Sequence, residues 1–322
     1  MERYMKALIL PDEFRYTSVS GRVIDHTPPK PLGLLTDLVG KWVGTGFNQI
    51  WRPLNTPPTQ DHFLELNETS EEITFIEIPG DIPNRGLLQD AINLHGMTYL
   101  QVIKDANAKG PNGKPAGLHI EPGIWVSVPL TANPAEPPTV ARMANIPHGT
   151  AMVAQGGAFS VNSGPVFEPV SITPFVIGNP TNLIPFPETD LSTPSVFRTP
   201  PTDIPHVTQS MVDNPNDFLA SSLIGKTIVS TIVLNISTVV PNQSRKVADP
   251  SAGGGTANIA FLQGAAAGPN ASAAQVDATF WINTTSESHD GKPDMLQYSQ
   301  RVLLNFKGLS WPHVSVGAMF RV

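Results

Sequence analysis

The chain has 322 residues and a net charge of −7, with 20 Lys and Arg against 27 Asp and Glu. This acidic balance, with no basic run, argues against nucleic acid or an anionic membrane as a partner. The absence of cysteine excludes disulfides, thiolate metal sites, iron–sulfur clusters and cysteine nucleophiles.

Charged residues make up only 15% of the chain, while 26 Gly and 33 Pro favour strands joined by turns over long helices. The first residues give a short apolar patch, Ala7 to Leu10, before Pro11, too short for a signal-peptide core. No apolar run reaches the ~18 residues of a membrane helix. The sequence alone therefore reads as a cytoplasmic protein with no membrane partner.

A helical turn is expected at 32–39, leading into a first strand at 41–51. Further strand-like runs are 62–66, 72–78, 98–104, 117–128, 139–145, 150–155 and 170–176, then 226–240, 257–262, 275–284, 296–306 and 310–321. They are rich in Val, Ile, Thr and aromatics and are bounded by Gly, Pro, Asn and Asp. The β-branched run at 227–240 reads as an interior strand covered on both faces. Short helices are expected at 86–92 and 217–223, the second capped by Asp217. The proline-dense stretch 164–205 reads as an irregular cover, and 249–277, with Gly253-Gly254-Gly255, as a loop. More than ten strands with hairpin-length gaps predict one all-β domain over 1–322, an elaborated antiparallel barrel.

Three segments carry the chemistry. On the first strand, Trp42, Gly44, Gly46 and Asn48 share one face, so the Trp can plug a barrel end while the glycines leave room for a flat ligand. In Leu118-His119-Ile120-Glu121-Pro122-Gly123, a His and a Glu share a strand face. In the last strand, Trp311-Pro312-His313-Val314-Ser315-Val316-Gly317, His313 shares its face with the small residues Ser315 and Gly317. The opposite face of that strand, Val314, Val316, Ala318 and Phe320, is apolar and needs a cover, either an insertion or a second subunit.

In this order the three segments resemble the nitrobindin-like haem-binding family of calycin-type barrels. The resemblance covers about a third of the chain and implies haem b as cofactor. Its iron would be held by His313, with Trp42, Gly44, Gly46 and Ser315 lining the cofactor and a position open to nitric oxide, peroxynitrite or peroxide. The chain is longer than that family's domains, which assigns 52–115 and 164–275 to insertions on the barrel. Those additions could shape an organic-substrate pocket and make the protein a haem-dependent enzyme of peroxidase, isomerase or dehydratase type.

His148, in the turn Pro147-His148-Gly149, is the candidate for proton transfer beside an iron-bound ligand. His95 and His206 are further pocket candidates, and Arg52 and Arg301 candidate partners for propionates. Each has an ordinary counterpart: a carbonyl-bonded structural histidine, an exposed turn histidine, a surface ion pair. No Gly-x-Ser-x-Gly elbow, P-loop, dinucleotide fingerprint or His-Glu-x-x-His helix is present. Two other readings stay open: a barrel that binds a lipid or other apolar molecule without haem, and an assembly protein whose outer C-terminal strand makes a homo-oligomer.

Overall fold

The computed structural model describes residues 32–55, 61–133, 135–239 and 254–322. The apolar patch at 7–10 and residues 240–253, including the start of the loop expected at 249–277, lie outside the described residues.

Ten antiparallel strands among the described residues close into a barrel. In chain order they are β1 (Gly40–Pro53), β2 (His62–Glu77), β3 (Ile92–Lys109), β4 (Pro115–Val128) and β5 (Thr139–Ile146). The second half is β6 (Thr150–Val161), β7 (Ile228–Ser237), β8 (Ser272–Thr285), β9 (Met295–Phe306) and β10 (Leu309–Arg321). Each strand pairs with the next, and β1 pairs with β10, with Trp42 opposite Arg321, Gly46 opposite Gly317 and Asn48 opposite Ser315. Closure leaves no unpaired barrel edge.

The alternation of inward and outward residues sets what fills the lumen. From β1, Trp42, Gly44, Gly46 and Asn48 point in, while Lys41, Val43 and Thr45 point out. The 3-10 helix Gly33–Leu38 leads into β1, and its Leu35 and Leu38 are fully buried against Trp42. Trp42 donates its indole N–H to the Leu38 carbonyl at 2.8 Å, and the Arg321 guanidinium lies 4.3 Å from its ring centroid. This group plugs one end, the tryptophan end. Above it the lumen is packed with Phe75, Trp125, Leu234, Phe280, Ile282 and Leu296.

The segment 52–115 is not an insertion on the barrel: β2 and β3 within it are barrel strands. The second expected insertion, 164–275, likewise contains β7 and the start of β8. The true additions are 162–227 between β6 and β7, and 238–271 between β7 and β8. The first of these is a strap across the outside of the barrel. Its two short helices, α1 (Gln209–Asp213) and α2 (Asn216–Ser222), carry Val212 and Leu219 into an outer core. There they meet Phe47, Leu64, Leu66, Trp281, Val314 and Val316, all at most 5% exposed. Trp51 is tied to the strap by a 2.8 Å hydrogen bond from its indole to the Ile172 carbonyl. The cover required by Val314 and Val316 therefore comes from the chain itself, and neither residue is available to a second copy.

Smaller differences have local reasons. No helix forms at 86–92; a bend at 87–89 leads into β3, which starts at Ile92. Asp217 does not cap α2, which begins after Pro215, and its carboxylate instead accepts from Asn214 Nδ2 at 2.7 Å. Of the strand expected at 170–176 only Phe175–Val176 forms, pairing with the start of β10. Among the described residues no helix is long and apolar enough to cross a membrane.

Candidate functional site

The end of the barrel opposite the tryptophan plug collects histidines. His313 lies near the start of β10, His119 near the start of β4, and His148 in the turn between β5 and β6. Antiparallel pairing brings these three positions to the same end, and β4 and β10 stand on nearly opposite walls of a ten-strand barrel. His119 and His148 stack, with ring centroids 5.8 Å apart and an interplanar angle of 26°. His119 and His313 are largely but not wholly buried, with 16% of the His119 side chain exposed.

His313 is anchored by a residue 265 positions away. Its Nε2 lies 3.1 Å from Asn48 Oδ1, which also accepts from Ser315 Oγ at 2.8 Å. Because the amide oxygen only accepts, Nε2 carries the ring proton and Nδ1 is bare. Burial, followed by the fields of His119 and His148, pushes the His313 pKa down to about 3, so the ring is neutral at physiological pH. Burial and the His119 field also lower the pKa of His148, whose ring bonds to the Leu118 backbone.

Deeper in the lumen lies a polar network. Glu121 receives hydrogen bonds from Arg142 and Tyr99, both at very short range, and His119 Nε2 lies 3.3 Å from its other oxygen. Arg142 is 1% exposed, donates to Tyr99 OH at 2.8 Å and to Gln300 Oε1 at 2.7 Å, and is ringed by Tyr99, Trp125 and Phe280. Burial alone would raise the Glu121 pKa, but the Arg142 charge, His119 and Tyr99 outweigh it and hold the carboxyl at about 2. One level across, Glu71 accepts from Tyr298 OH and Thr69 Oγ1, each at 2.7 Å. Gln101 joins the network by donating to Tyr298 OH at 3.1 Å. Among the described residues no Lys or Arg forms an ion pair with Glu71, and burial raises its pKa against the lowering pull of these hydrogen bonds and of the more distant His119. The two carboxyls thus have opposite proton affinities within one enclosed space.

The glycines serve this network. A methyl group at Gly46 would collide with the Glu71 carboxylate, at Gly317 with the Tyr298 ring and at Gly123 with the Tyr99 ring. The room left by Gly46 is therefore occupied by Glu71, and a flat ligand does not fit over Gly44 and Gly46 as the sequence suggested. Gly44 itself is a close approach to the β10 backbone.

Of the expected site residues, the fold gathers His313, Ser315 and His148 at one end. Trp42 lies at the other, opposite Arg321, roughly 26 Å along β10 from His313 at ~3.3 Å per residue. His206, its side chain 84% exposed, pairs with Glu68 on the outer wall. His95 stands beside Asp81 toward the tryptophan end. Arg301 is outside the lumen, paired with Asp277 at 2.7 Å, whereas Arg52 has the strand parity of Asn48 at the histidine-end rim of β1, where it is half exposed and paired with Glu65 at 3.1 Å. The residues that sequence reasoning missed are Asn48 as the anchor of His313, and Glu71, Tyr99, Gln101, Arg142 and Tyr298. Their one signal was polar residues on the inward parity of strands. Among the described residues no group of three or more His, Asp or Glu side chains is arranged to hold a metal ion.

No protein-family model and no curated protein matches the sequence. Among solved structures, Rv2717c from M. tuberculosis is similar at 15% identity, covering 90% of this chain and 95% of that one, with a TM-score of 0.38. Ail, the attachment invasion locus protein of Yersinia pestis, shares 7% identity over 88% of this chain and 99% of its own, with a TM-score of 0.20. A DUF3598-family protein of unknown function from Nostoc punctiforme shares 10% over 92% and 100%, with a TM-score of 0.13. Likenesses this low carry no weight for fold or function. The barrel rests on its own strand pairing, and what it binds rests on the lumen chemistry.

Proposed function

We propose that the histidine end of the barrel is a small-molecule site, and that its ligand is haem held through His313. The observation that carries this reading is the state of His313: a neutral imidazole with one nitrogen protonated on Asn48 and the other bare. Metal-bound histidines have this form, with a fixed acceptor on the nitrogen that does not ligate. His313 and Ser315 would flank the group, while His119 and His148 stand on the far wall. Glu71 and Tyr298 fill the space over Gly46, so the group would sit at the level of His313 rather than over the glycine face. Bound haem would supply an iron position for a small ligand such as nitric oxide, peroxynitrite or a peroxide.

An extended lipid is less well served. It would have to pass the Glu71–Tyr298 and Glu121–Arg142 pairs and displace the packed side chains above Trp42, breaking buried hydrogen bonds that then have no substitute.

Addition of hemin to the purified protein, followed by visible spectra of wild type and His313→Ala, tests the proposal. The expected result is a sharp, shifted Soret band in wild type that is lost in the variant. Identical spectra for the two proteins would remove His313 from the iron.

A further inference from the structure

The three lumen histidines are not equivalent. His313 is committed to Asn48, and His148 bonds to the Leu118 backbone while stacking on His119. His119 alone is coupled to a charge-balanced pair in the barrel interior. Its Nε2 faces a Glu121 oxygen at 3.3 Å, and Glu121 is fixed from its other side by Arg142 and Tyr99. An ionised carboxylate only accepts hydrogen bonds, so the His119 proton sits on Nε2 and its Nδ1 is bare. The ring is 16% exposed and stands across the lumen from His313.

We propose that His119, rather than the turn residue His148, is the proton acceptor of the lumen site, acting on a small protic ligand H–A bound opposite His313. This rests on the lumen being the ligand site, as proposed above. The H–A bond breaks with its electron pair staying on A, and the Nδ1 lone pair of His119 forms the new N–H bond. The resulting imidazolium is balanced by Glu121, which keeps its own charge because Arg142 holds it. No oxidant or reductant is required. Glu121 acts through His119 and is a positioning residue, while the Arg142–Tyr99 pair positions Glu121 in turn.

Two measurements decide the proposal. In the protein without haem, the nitrogen-15 shifts of the His119 ring are expected to report Nε2 protonated and Nδ1 bare; the opposite tautomer overturns the proposal whether or not haem binds. In hemin-loaded protein at neutral pH, where cyanide is almost wholly HCN, His119→Leu is expected to slow cyanide association about a hundredfold or more. Hemin should still bind to this variant, since His313 is intact. An unchanged rate in His119→Leu, or an equal loss in His148→Leu alone, overturns the assignment. Failure of hemin to bind wild type would instead count against the haem reading, and the tautomer measurement would still overturn the His119 assignment if Nδ1 carried the proton.

Discussion

Glu71 and Glu121 are the same residue type in one lumen with opposite consequences for stability. Glu121 is held at about 2, below its ordinary 4.5. A carboxyl depressed on folding contributes fully above its unfolded pKa and loses that contribution as pH falls toward its folded value. Glu71 is raised, so its contribution is full at low pH and is lost as pH rises through its folded pKa. Substitution by the isosteric amide separates the two. At pH 7, Glu121→Gln leaves the Arg142 guanidinium buried without its counter-charge and should cost about 3–5 kcal/mol in urea unfolding, shrinking toward pH 2. Glu71→Gln keeps one acceptor, for Tyr298, turns the other position into a donor that the rotatable Thr69 hydroxyl can accept, and removes the group whose charged form burial disfavours. It should match wild type near pH 4 and equal or exceed it in stability near pH 8. Equal destabilisation by both variants at every pH would show that Arg142 does not distinguish the carboxyls.

At the level of elements, the strap covers the outer face of the last strand. Leu219 of α2 is fully buried against the β10 wall, and Gln297 Nε2 donates to the Leu219 carbonyl at 3.0 Å. Leu219→Ala should therefore cost about 2–5 kcal/mol by removing core volume, while the hemin spectrum stays that of wild type because α2 lies outside the barrel. A changed Soret band would mean that the outer core reaches the lumen. The need for this cover was legible in the sequence, because Val314 and Val316 alternate with His313 and Ser315 and cannot face water. The strands were legible for the same reason, as at 227–240, where both parities are apolar or β-branched. The lumen network was not. Glu71 and Glu72 are adjacent and identical, and only register shows that Glu72 pairs with Lys41 outside while Glu71 enters the barrel. His313 was readable as a candidate, but its anchor Asn48 lies 265 positions away, and closure of β1 onto β10 is what joins them. Assigning 52–115 to an insertion failed because it rested on the chain's excess length: the strand-like runs at 62–66, 72–78 and 98–104 were legible, and register places them in the barrel wall.

The whole molecule is a barrel with chemistry inside one end and a second, outer core that belongs to the strap. The strap leaves and re-enters the barrel at neighbouring points. A side chain at Gly164 would contact Ile228 Cβ at 3.6 Å, and Thr231 Oγ1 donates to the Ser163 carbonyl at 2.9 Å. Residues 165–225 can therefore be replaced by a two-residue linker without stretching β6 or β7. The barrel's hydrogen-bond ladder is complete without them, since all ten strands pair with one another. The deletion instead bares Phe47, Leu66, Trp281, Val314 and Val316 on one contiguous wall, and an exposed apolar patch of that kind drives association. The expected outcome is a folded, all-β protein that self-associates in analytical ultracentrifugation, whereas the full chain does not use this wall. Return of the monomer when Val314 and Val316 are changed to Thr in the deletion variant would locate the contact on β10. A monomeric deletion variant with the wall unaltered would show that the strap serves something other than cover.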